Sequence, residues 1–325
     1  MTFSLDELDA TAELVHRFVP PTPQYAWPLL QSWLGMPVWV KHENHTAIGA
    51  FKIRGGITYL SELVAREPRL PGVISATRGN HGQSVAVAAK SLGLSAVIVV
   101  PEGNNPEKNQ AMVAQGAELV VHGADFQAAL EHAGHLAETR ALHYLPSFHP
   151  ALVRGVASYA LELFRAVPEL YRVYVPIGLG SGICGVIAAR DALKRKTEVV
   201  GVQAEGAPCY ALSFEAGRPI ATNSADTFAD GVATRVPVPD AVAAINRGAA
   251  DVVTVSDDQI LQAQATLLRA SHNLAEPAGA AALAAVIAGR ERLQGRPVAV
   301  ILSGGNADTA NLRALAALDG GPEDR

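Results

Sequence analysis

Lys52 is the first residue of this sequence whose surroundings indicate chemistry. It follows an aromatic side chain and lies between glycines, in the segment GAFKIRGG at residues 49–56. Most lysines keep their ammonium groups in water at the surface. A lysine among small and apolar residues has a lowered pKa, which favours a nucleophilic amine or a Schiff base. The alternative is a lysine at a helix start with only its stem buried.

A glycine-rich loop is the second candidate, with the sequence PIGLGSGICG at residues 176–185. It follows a strand pattern and precedes a helix of small residues, so its backbone amides form an anion cradle at a helix N-terminus. Residues 180–185 also match the G-x-G-x-x-G pattern, and Glu205 ends the next strand. A dinucleotide fold places its ribose-binding acid there. A nicotinamide-dependent dehydrogenase and a purely structural turn are therefore both alternatives.

Two further polar loops follow predicted strands, TRGNHGQ at residues 77–83 and LSGGN at residues 302–306. In the first loop, Thr77, Asn80 and His81 form with the nearby amides a nest that suits a carboxylate. The second loop lies at the carboxyl edge of the last strand, where open α/β sheets bind ligands. A nicotinamide fold does not require this set of loops.

The elements that position these loops form an α/β pattern. From about residue 72, strands at 72–76, 96–101 and 118–121 alternate with helices at 82–92, 106–115 and 126–139. This order predicts a parallel sheet with right-handed crossovers. Strands near residues 38–41, 173–176, 198–203, 252–255 and 298–302 complete the sheet structure. The region between residues 208 and 240 is predicted to be rich in loops.

Composition limits the classes of function. The chain has 325 residues, of which 49% are hydrophobic and 18% charged, and a net charge of −5. No basic run indicates nucleic-acid binding, and no segment resembles a signal peptide or a membrane span. The two cysteines, Cys184 and Cys209, form neither a disulfide framework nor a metal motif, which fits a reducing compartment. We expect a cytoplasmic protein that binds neither nucleic acid nor membrane.

No metal site is expected. His42 and His45 stand three residues apart, but no third ligand lies nearby in the sequence. We interpret both as solvated loop histidines.

Four motifs occur in order: GAFKIRG at 49–55, GNHGQ at 79–83, GLGSG at 178–182 and SGGN at 303–306. Residues 41–44, 229–231 and 276–280 are weaker motifs that accompany these four. With this set, the chain resembles the pyridoxal-phosphate enzymes of the tryptophan-synthase-β fold type. Within that type it resembles the serine/threonine dehydratases, which include threonine ammonia-lyases and serine racemases. The set spans about residues 20–308 and is more specific than the dinucleotide pattern, which Pro176 fits poorly.

The resemblance implies a fold and an assembly. The fold is PLP fold type II: two open, mainly parallel twisted sheets flanked by helices. A large cofactor domain would comprise residues 1–68 and 152–325, and a smaller, mobile βαβ domain would comprise residues 69–151. The usual form of the family is a homodimer.

The resemblance also assigns roles in binding pyridoxal 5′-phosphate. Lys52 would hold the cofactor as a Schiff base and later remove the proton from the substrate Cα. Phe51 would lie beside the pyridine ring, Asn80 would bind the 3′-oxygen, and Ser303 would face the ring nitrogen. The phosphate would be bound by Gly178, Leu179, Gly180, Ser181 and Gly182. Leu179 and Ser181 depart from the usual glycine run and change the shape of the cradle, but they keep its amides.

The resemblance places the substrate at Thr77, Arg78, Asn80 and His81. Arg78 departs from the family, because serine racemases carry there a serine that acts as the second acid/base. Arginine stays charged and is a poor proton shuttle, so we predict weak or absent racemase activity. As a candidate catalytic and binding residue, Arg78 would contact a second substrate carboxylate, as in 3-hydroxyaspartate. The alternative is a salt bridge from Arg78 to the other domain.

The predicted function is a lyase that eliminates water from a β-hydroxy amino acid such as threonine or serine, yielding a 2-oxo acid and ammonia. A hydroxyl at position 303 does not keep the pyridine nitrogen protonated, which favours elimination over transamination. The alternatives are racemisation, β-replacement or action on another 3-hydroxy acid, such as 3-hydroxyaspartate or phenylserine. Outside this class, an NAD-dependent dehydrogenase is the alternative. Glu205 offers one ligand for the divalent cation of racemase-like chains, but its loop supplies no aspartate.

Overall fold

The computed structural model describes residues 1–318, in which helices and strands alternate along most of the chain. The strands are β1 Gln24–Ala26, β2 Val38–His42, β3 Gly72–Ala76, β4 Ser95–Val100, β5 Glu118–Val121, β6 His143–Tyr144, β7 Arg172–Pro176, β8 Glu198–Ala204, β9 Asp251–Val255 and β10 Val298–Leu302.

The helices surround these strands. They are α1 Leu5–His16, α2 Pro28–Leu34, α3 Lys52–Arg66, α4 Asn80–Ser91, α5 Pro106–Ala114, α6 Phe126–Thr139, α7 Pro150–Ala166, α8 Ser181–Ala192, α9 Cys209–Ala216, α10 Pro239–Gly248, α11 Asp257–Ser271, α12 Pro277–Leu293 and α13 Thr309–Ala316. Short 3-10 helices span Glu43–His45 and Asp230–Val232. Within residues 1–318, no helix has both the length and the hydrophobicity needed to cross a membrane.

The strands form two sheets. The larger has the order β1-β2-β10-β7-β8-β9, and all its pairs are parallel except the antiparallel pair of β1 and β2. The smaller has the order β5-β4-β3-β6 and is parallel throughout. The predicted fold class, two open and mainly parallel sheets flanked by helices, is confirmed. The smaller sheet lies wholly within residues 69–151, while the division into a large and a mobile small domain stays a prediction.

The two sheets bring the carboxyl ends of their strands to the predicted loops. β3 is buried along its whole length and leads into the loop before α4, while β7 leads into the loop before α8. Both helices start after a glycine, Gly79 or Gly180, and neither has a side-chain cap. The first amides of a helix have no partner within the helix. These two helix starts therefore present free donors at the loops.

The sequence pattern did not predict several short helices and strands. The region predicted to be loop-rich contains α9 and the start of α10, and β1, α2, β6 and α13 were not predicted either. β1 has three residues and exists because it pairs with β2, and β6 has two residues that pair with β3. Elements this short carry no readable periodicity, so tertiary pairing decides them.

A network of buried charges lies behind the first turn of α3. Arg54 is fully buried and binds Glu43 through Nε and Nη2, at 2.7 and 3.0 Å. Its Nη1 donates to Glu162 at 2.6 Å and to Ser158 at 3.0 Å. The buried Lys41 donates to the same Glu162 at 2.5 Å. Two cations thus offset two anions, and the network joins β2, α3 and α7.

Arg54→Met should strongly destabilise the protein, because it leaves two buried carboxylates with one cation. We expect a loss of about 3–5 kcal/mol in the free energy of unfolding, measured by urea denaturation of the cofactor-free protein. The matched control is Arg140→Met, which breaks the exposed pair of Arg140 and Glu118 and should cost less than about 1 kcal/mol. Equal losses in both variants would contradict the role of the network.

Candidate active site

Lys52 is the first residue of α3, and two neighbouring loops fix its backbone. The amide of Phe51 donates to the carbonyl of Ser303 at 3.1 Å, and the amide of Gly305 donates to the carbonyl of Gly49 at 2.9 Å. The hydroxyl of Ser84 donates to the carbonyl of Lys52 at 2.7 Å. The lysine is therefore held between the loop after β10 and helix α4.

The side chain of Lys52 is half-buried, and its amine lies beside an aromatic ring. Its Nζ is 5.1 Å from the centroid of the Phe51 ring. Burial lowers the pKa of the Lys52 amine, and the charge of Glu276 partly opposes that shift. A lowered pKa leaves more of the amine neutral near pH 7, as a nucleophile or base requires. This geometry favours the chemical interpretation of Lys52 over a helix-start lysine with only its stem buried.

The loop of residues 177–180 forms a close-fitting cradle before α8. Gly180 has φ +97°, a conformation that favours glycine, and a Cβ there would lie 2.7 Å from Cβ of Ala241. A Cβ at Gly178 would lie 2.4 Å from the carbonyl oxygen of Gly231. The carbonyl of Leu179 accepts a hydrogen bond from Tyr210 Oη at 2.8 Å. The loop backbone is thus fixed from behind, with the amides of the α8 start available for an anion such as phosphate.

Phe51 links the cradle to Lys52. An added Cβ at Gly182 would lie 3.7 Å from Cζ of Phe51, in ordinary contact. The Phe51 ring packs edge-to-face on Tyr159, with centroids 6.1 Å apart, and Tyr159 Oη donates to the carbonyl of Gly182 at 3.3 Å. Ser181 is buried at the first position of α8. The glycine loop begins at Ile177, which is 125 positions after Lys52 in the sequence. The lysine loop and the glycine loop are nevertheless neighbours in the structure.

The side chain of Asn80 is held by Glu276, which precedes α12, and by Asn306, which follows β10. Its Nδ2 donates to Glu276 Oε1 at 2.7 Å, and its Oδ1 accepts from Asn306 Nδ2 at 2.8 Å. Asn306 also donates to the carbonyl of Ile48 at 2.8 Å. The amide of Asn80 thus has one orientation, set by residues from three separate segments.

His81 contains a polar atom that the protein does not satisfy. The side chain is buried, and its Nε2 has no hydrogen-bond partner within residues 1–318. Burial, assisted by the charge of Lys52, lowers the pKa of His81 to about 3, so the ring is neutral. An unpaired buried nitrogen is costly in a native protein and indicates a ligand. Thr77 is also buried, and its Oγ1 accepts from the amide of Gly79 at 3.3 Å.

Ser303 and Arg78 complete the set of predicted residues. Ser303 is buried at the end of β10, and its carbonyl fixes the residue before Lys52. Arg78 is exposed, and within residues 1–318 its side chain makes no ion pair or hydrogen bond. Arg78 therefore makes no salt bridge within the described residues, and its role stays a prediction. Lys108 of α5 makes a salt bridge with Asp230.

Sequence reasoning did not include Glu276 and Lys108 among the site residues. Glu276 is buried before α12, and burial raises the pKa of its carboxyl group against the charges of Lys108 and Lys52. Lys108 packs over the loop of residues 77–79 before α4, where an added Cβ on Gly79 would lie 3.3 Å from its Cδ. One signal was readable for Glu276, a single acid in an otherwise apolar run, at residues 274–286. Lys108 carried no comparable signal.

Within residues 1–318, no group of three or more His, Cys, Asp or Glu side chains is arranged to hold a metal. Glu205 is exposed. His42 is buried and accepts a hydrogen bond from Trp27 Nε1 at 3.0 Å, so the interpretation of His42 as a solvated loop histidine is wrong. Burial lowers the pKa of His42 to about 4. His45 is exposed and stacks on it with centroids 4.9 Å apart.

The residues present fit a phosphate-bearing aldehyde cofactor. The glycine cradle has no room for a Cβ at Gly178 or Gly180, and the uncapped start of α8 suits a phosphate. The amine of Lys52 has the lowered pKa that a covalent bond to an aldehyde carbon requires. The unpaired nitrogen of His81 adds a partner for a bound group.

Known proteins share this sequence pattern. A biosynthetic L-threonine dehydratase of Pasteurella multocida is 34% identical over 295 residues, covering 90% of this chain and 57% of that protein. An L-threo-3-hydroxyaspartate ammonia-lyase of Saccharomyces cerevisiae is 31% identical over 320 residues, covering 98% of this chain and 97% of that protein. The chain spans 53–61% of the length of the biosynthetic threonine dehydratases to which it is similar.

The fold is shared as well. The solved structure of the processed form of threonine deaminase isoform 2 from Solanum lycopersicum matches with a TM-score of 0.90 and 30% identity. The match covers 98% of this chain and 95% of that one. The family model described as "Pyridoxal-phosphate dependent enzyme" matches residues 15–304, which include Lys52, Asn80, His81, the 178–182 loop and Ser303. The chain therefore belongs to the family of pyridoxal-phosphate-dependent enzymes, and pyridoxal phosphate is its cofactor.

Proposed function

We propose that this protein is an ammonia-lyase that removes water from a β-hydroxy amino acid such as threonine or serine. The observation that carries the proposal is the amine of Lys52, which has a lowered pKa and belongs to a residue held where loops from both sheets meet. Relatives named as threonine dehydratase and 3-hydroxyaspartate ammonia-lyase support it. The products are a 2-oxo acid and ammonia.

The proposed cofactor site uses the residues of four loops. Lys52 would hold the cofactor through Nζ, and Phe51 would lie beside the ring. Asn80 would bind the 3′-oxygen, and Ser303 would face the ring nitrogen. The phosphate would be held by the 178–182 loop, that is by Gly178, Leu179, Gly180, Ser181 and Gly182. When bound, pyridoxal phosphate withdraws the electron pair that proton removal leaves at the substrate Cα.

The other steps belong to side chains of this chain. Thr77, Asn80 and the neutral His81, with the nearby amides, bind the substrate carboxylate. The neutral amine of Lys52 takes the proton from Cα and returns it to the β-hydroxyl, which then leaves as water. The enamine released takes up one water to give the 2-oxo acid and ammonia. One water leaves and one enters, so the net reaction is the loss of ammonia.

The other reactions considered fit the site less well. The dehydrogenase interpretation rests on residues 180–185 and Glu205 alone, whereas the family match over residues 15–304 includes three of the four motifs in full and the first two residues of the fourth. Racemisation requires a second acid/base, and the exposed Arg78 is a poor one. β-Replacement shares the early steps and is separated from elimination by product analysis.

The assembly and the location are also part of the proposal. We infer a homodimer, the usual form of the family. We also infer a cytoplasmic location, since both cysteines are free and buried, which suits a reducing compartment.

Lys52→Ala should abolish turnover, because both the covalent attachment and the base are lost. Wild-type protein supplied with pyridoxal phosphate should be yellow and lose its visible band on borohydride treatment, with the label on Lys52 by peptide mass spectrometry. The variant should keep weak cofactor binding through the phosphate loop. Lys90→Ala, at an exposed lysine of α4, serves as control and should behave as wild type. A wild-type protein that stays colourless with the cofactor would refute the proposal.

Gly178→Ala should weaken cofactor binding, because the added Cβ meets the carbonyl of Gly231 at 2.4 Å. We expect an increase of at least about tenfold in Kd, or ~1.4 kcal/mol, in an absorbance titration with pyridoxal phosphate. Gly134→Ala in α6 is the control, since no atom lies within 4 Å of its added Cβ. Unchanged affinity in the Gly178 variant would argue against the cradle.

Arg78→Ala should discriminate between substrates, because the exposed guanidinium has no partner in the described chain and suits a second carboxylate. We expect KM for 3-hydroxyaspartate to rise about tenfold or more, as for a lost hydrogen bond to a charged group, with threonine little affected. Arg78→Lys should recover only part of the loss, since lysine cannot bind bidentately. An equal loss on both substrates would rule out the specificity role.

A further inference from the structure

Glu276 is a buried acid beside the active site that the proposed reaction has not used. Its side chain precedes α12 and its residue is 8% exposed. Oε1 accepts the hydrogen bond from Asn80 Nδ2 at 2.7 Å, and the backbone amide donates to the carbonyl of Gly304 at 3.0 Å. Within residues 1–318, Oε2 has no hydrogen-bond partner. The carboxyl group is therefore oriented by one oxygen and leaves the other available.

The surrounding backbone accommodates this carboxyl group. An added Cβ on Gly304 would lie 2.4 Å from Oε1 of Glu276. An added Cβ on Gly279 would lie 2.3 Å from the carbonyl oxygen of Gly304. Two glycines thus let the start of α12 pack on the loop after β10, with the acid enclosed between them. The close fit indicates a specific position for the carboxyl group rather than an incidental burial.

Charged groups from several elements face Glu276. Lys52 of α3 and Lys108 of α5 attract its carboxylate, whereas Asp230 in a 3-10 helix repels it. The effect is mutual, because the charge of Glu276 opposes the lowering of the Lys52 pKa by burial. His81 of α4 also faces Lys52, but its own pKa of about 3 leaves it neutral. Among the described residues, Glu276 is thus the anion whose charge acts on the amine of Lys52.

We propose that Glu276 is a positioning residue, whose carboxylate fixes the amide of Asn80 and places a negative charge beside the amine of Lys52. This inference rests on the proposed function for its catalytic meaning. A general base works best when its pKa is near the working pH, so that it can take a proton and later return it. Burial alone lowers the pKa of Lys52, and Glu276 brings it back towards that range. The same group keeps Asn80 aligned for the cofactor.

The charge can be tested separately from the hydrogen bond. Glu276→Gln keeps an oxygen that accepts from Asn80 but removes the charge. In the cofactor-free full-length protein, the rate of Lys52 acetylation by acetic anhydride is measured against pH by peptide mass spectrometry. We expect the midpoint to fall by about one pH unit, a tenfold change in the protonation equilibrium. In the enzyme with bound cofactor, the acidic limb of the pH profile of kcat should also shift to lower pH, because the amine of Lys52 stays neutral at lower pH.

Matched variants make the result specific. Glu169→Gln, at an exposed glutamate, should leave the Lys52 midpoint unchanged. Glu276→Ala also loses the acceptor for Asn80, so it should bind pyridoxal phosphate more weakly than Glu276→Gln does. Glu276→Asp keeps the charge, so its midpoint should stay close to that of the wild type while its contact with Asn80 weakens.

Three outcomes would overturn the inference. They are an unchanged Lys52 midpoint in folded Glu276→Gln, a midpoint in Glu276→Asp that falls as far as in the Gln variant, and equal cofactor affinity of the Gln and Ala variants. If the Gln variant does not fold, judged by circular dichroism, Glu276→Ala takes its place, and a Lys52 midpoint unchanged in Glu276→Ala would overturn the inference. Absence of lyase activity in the wild type would refute the proposed function, whereas the acetylation titration would still report on Glu276.

Discussion

The site depends on a buried guanidinium that fixes the first turn of α3. Arg54 donates to Glu43 on the strand side and to Glu162 on α7, at 2.6 to 3.2 Å. Lys52 is two positions earlier, so its side chain leaves the helix on a different side. The ion pairs therefore hold the helix start from behind while the amine faces the loops. Because charges so deeply buried need all their partners, the turn has little freedom to move.

Parallel strands explain why distant loops meet. Every strand of the smaller sheet and all but β1 of the larger one run parallel, so the loops after β3, β7 and β10 lie at carboxyl edges. Hydrogen bonds then join them. Asn306 binds Asn80, Ser303 binds Phe51, and an added Cβ on Gly182 would contact the same Phe51 ring. The resulting site contains an amine with a lowered pKa, an uncapped helix start and an imidazole nitrogen without a partner in the described chain, each of which favours a bound group.

Much of the fold and of the site was predictable, for identifiable reasons. Long runs such as β4 and β10 are apolar and buried, and glycines at 178, 180 and 182 cluster where a strand meets a helix. Such signals are local and survive in a single sequence. The burial of His42 was not readable, because it depends on Trp27 packing across from another segment. Glu276 was missed for a similar reason, since its partner Asn80 is 196 positions away.

The sequence by itself determined the α/β class, the four strand-end loops and the candidate lysine, since hydrophobic periodicity and glycine spacing are local properties. Tertiary structure alone decided which charges face one another. It placed Glu276 and His81 beside Lys52. It also paired Lys108, and not the exposed Arg78, with Asp230. Electrostatic interactions and desolvation depend on distance and burial, and these arise only when segments far apart in the chain come together.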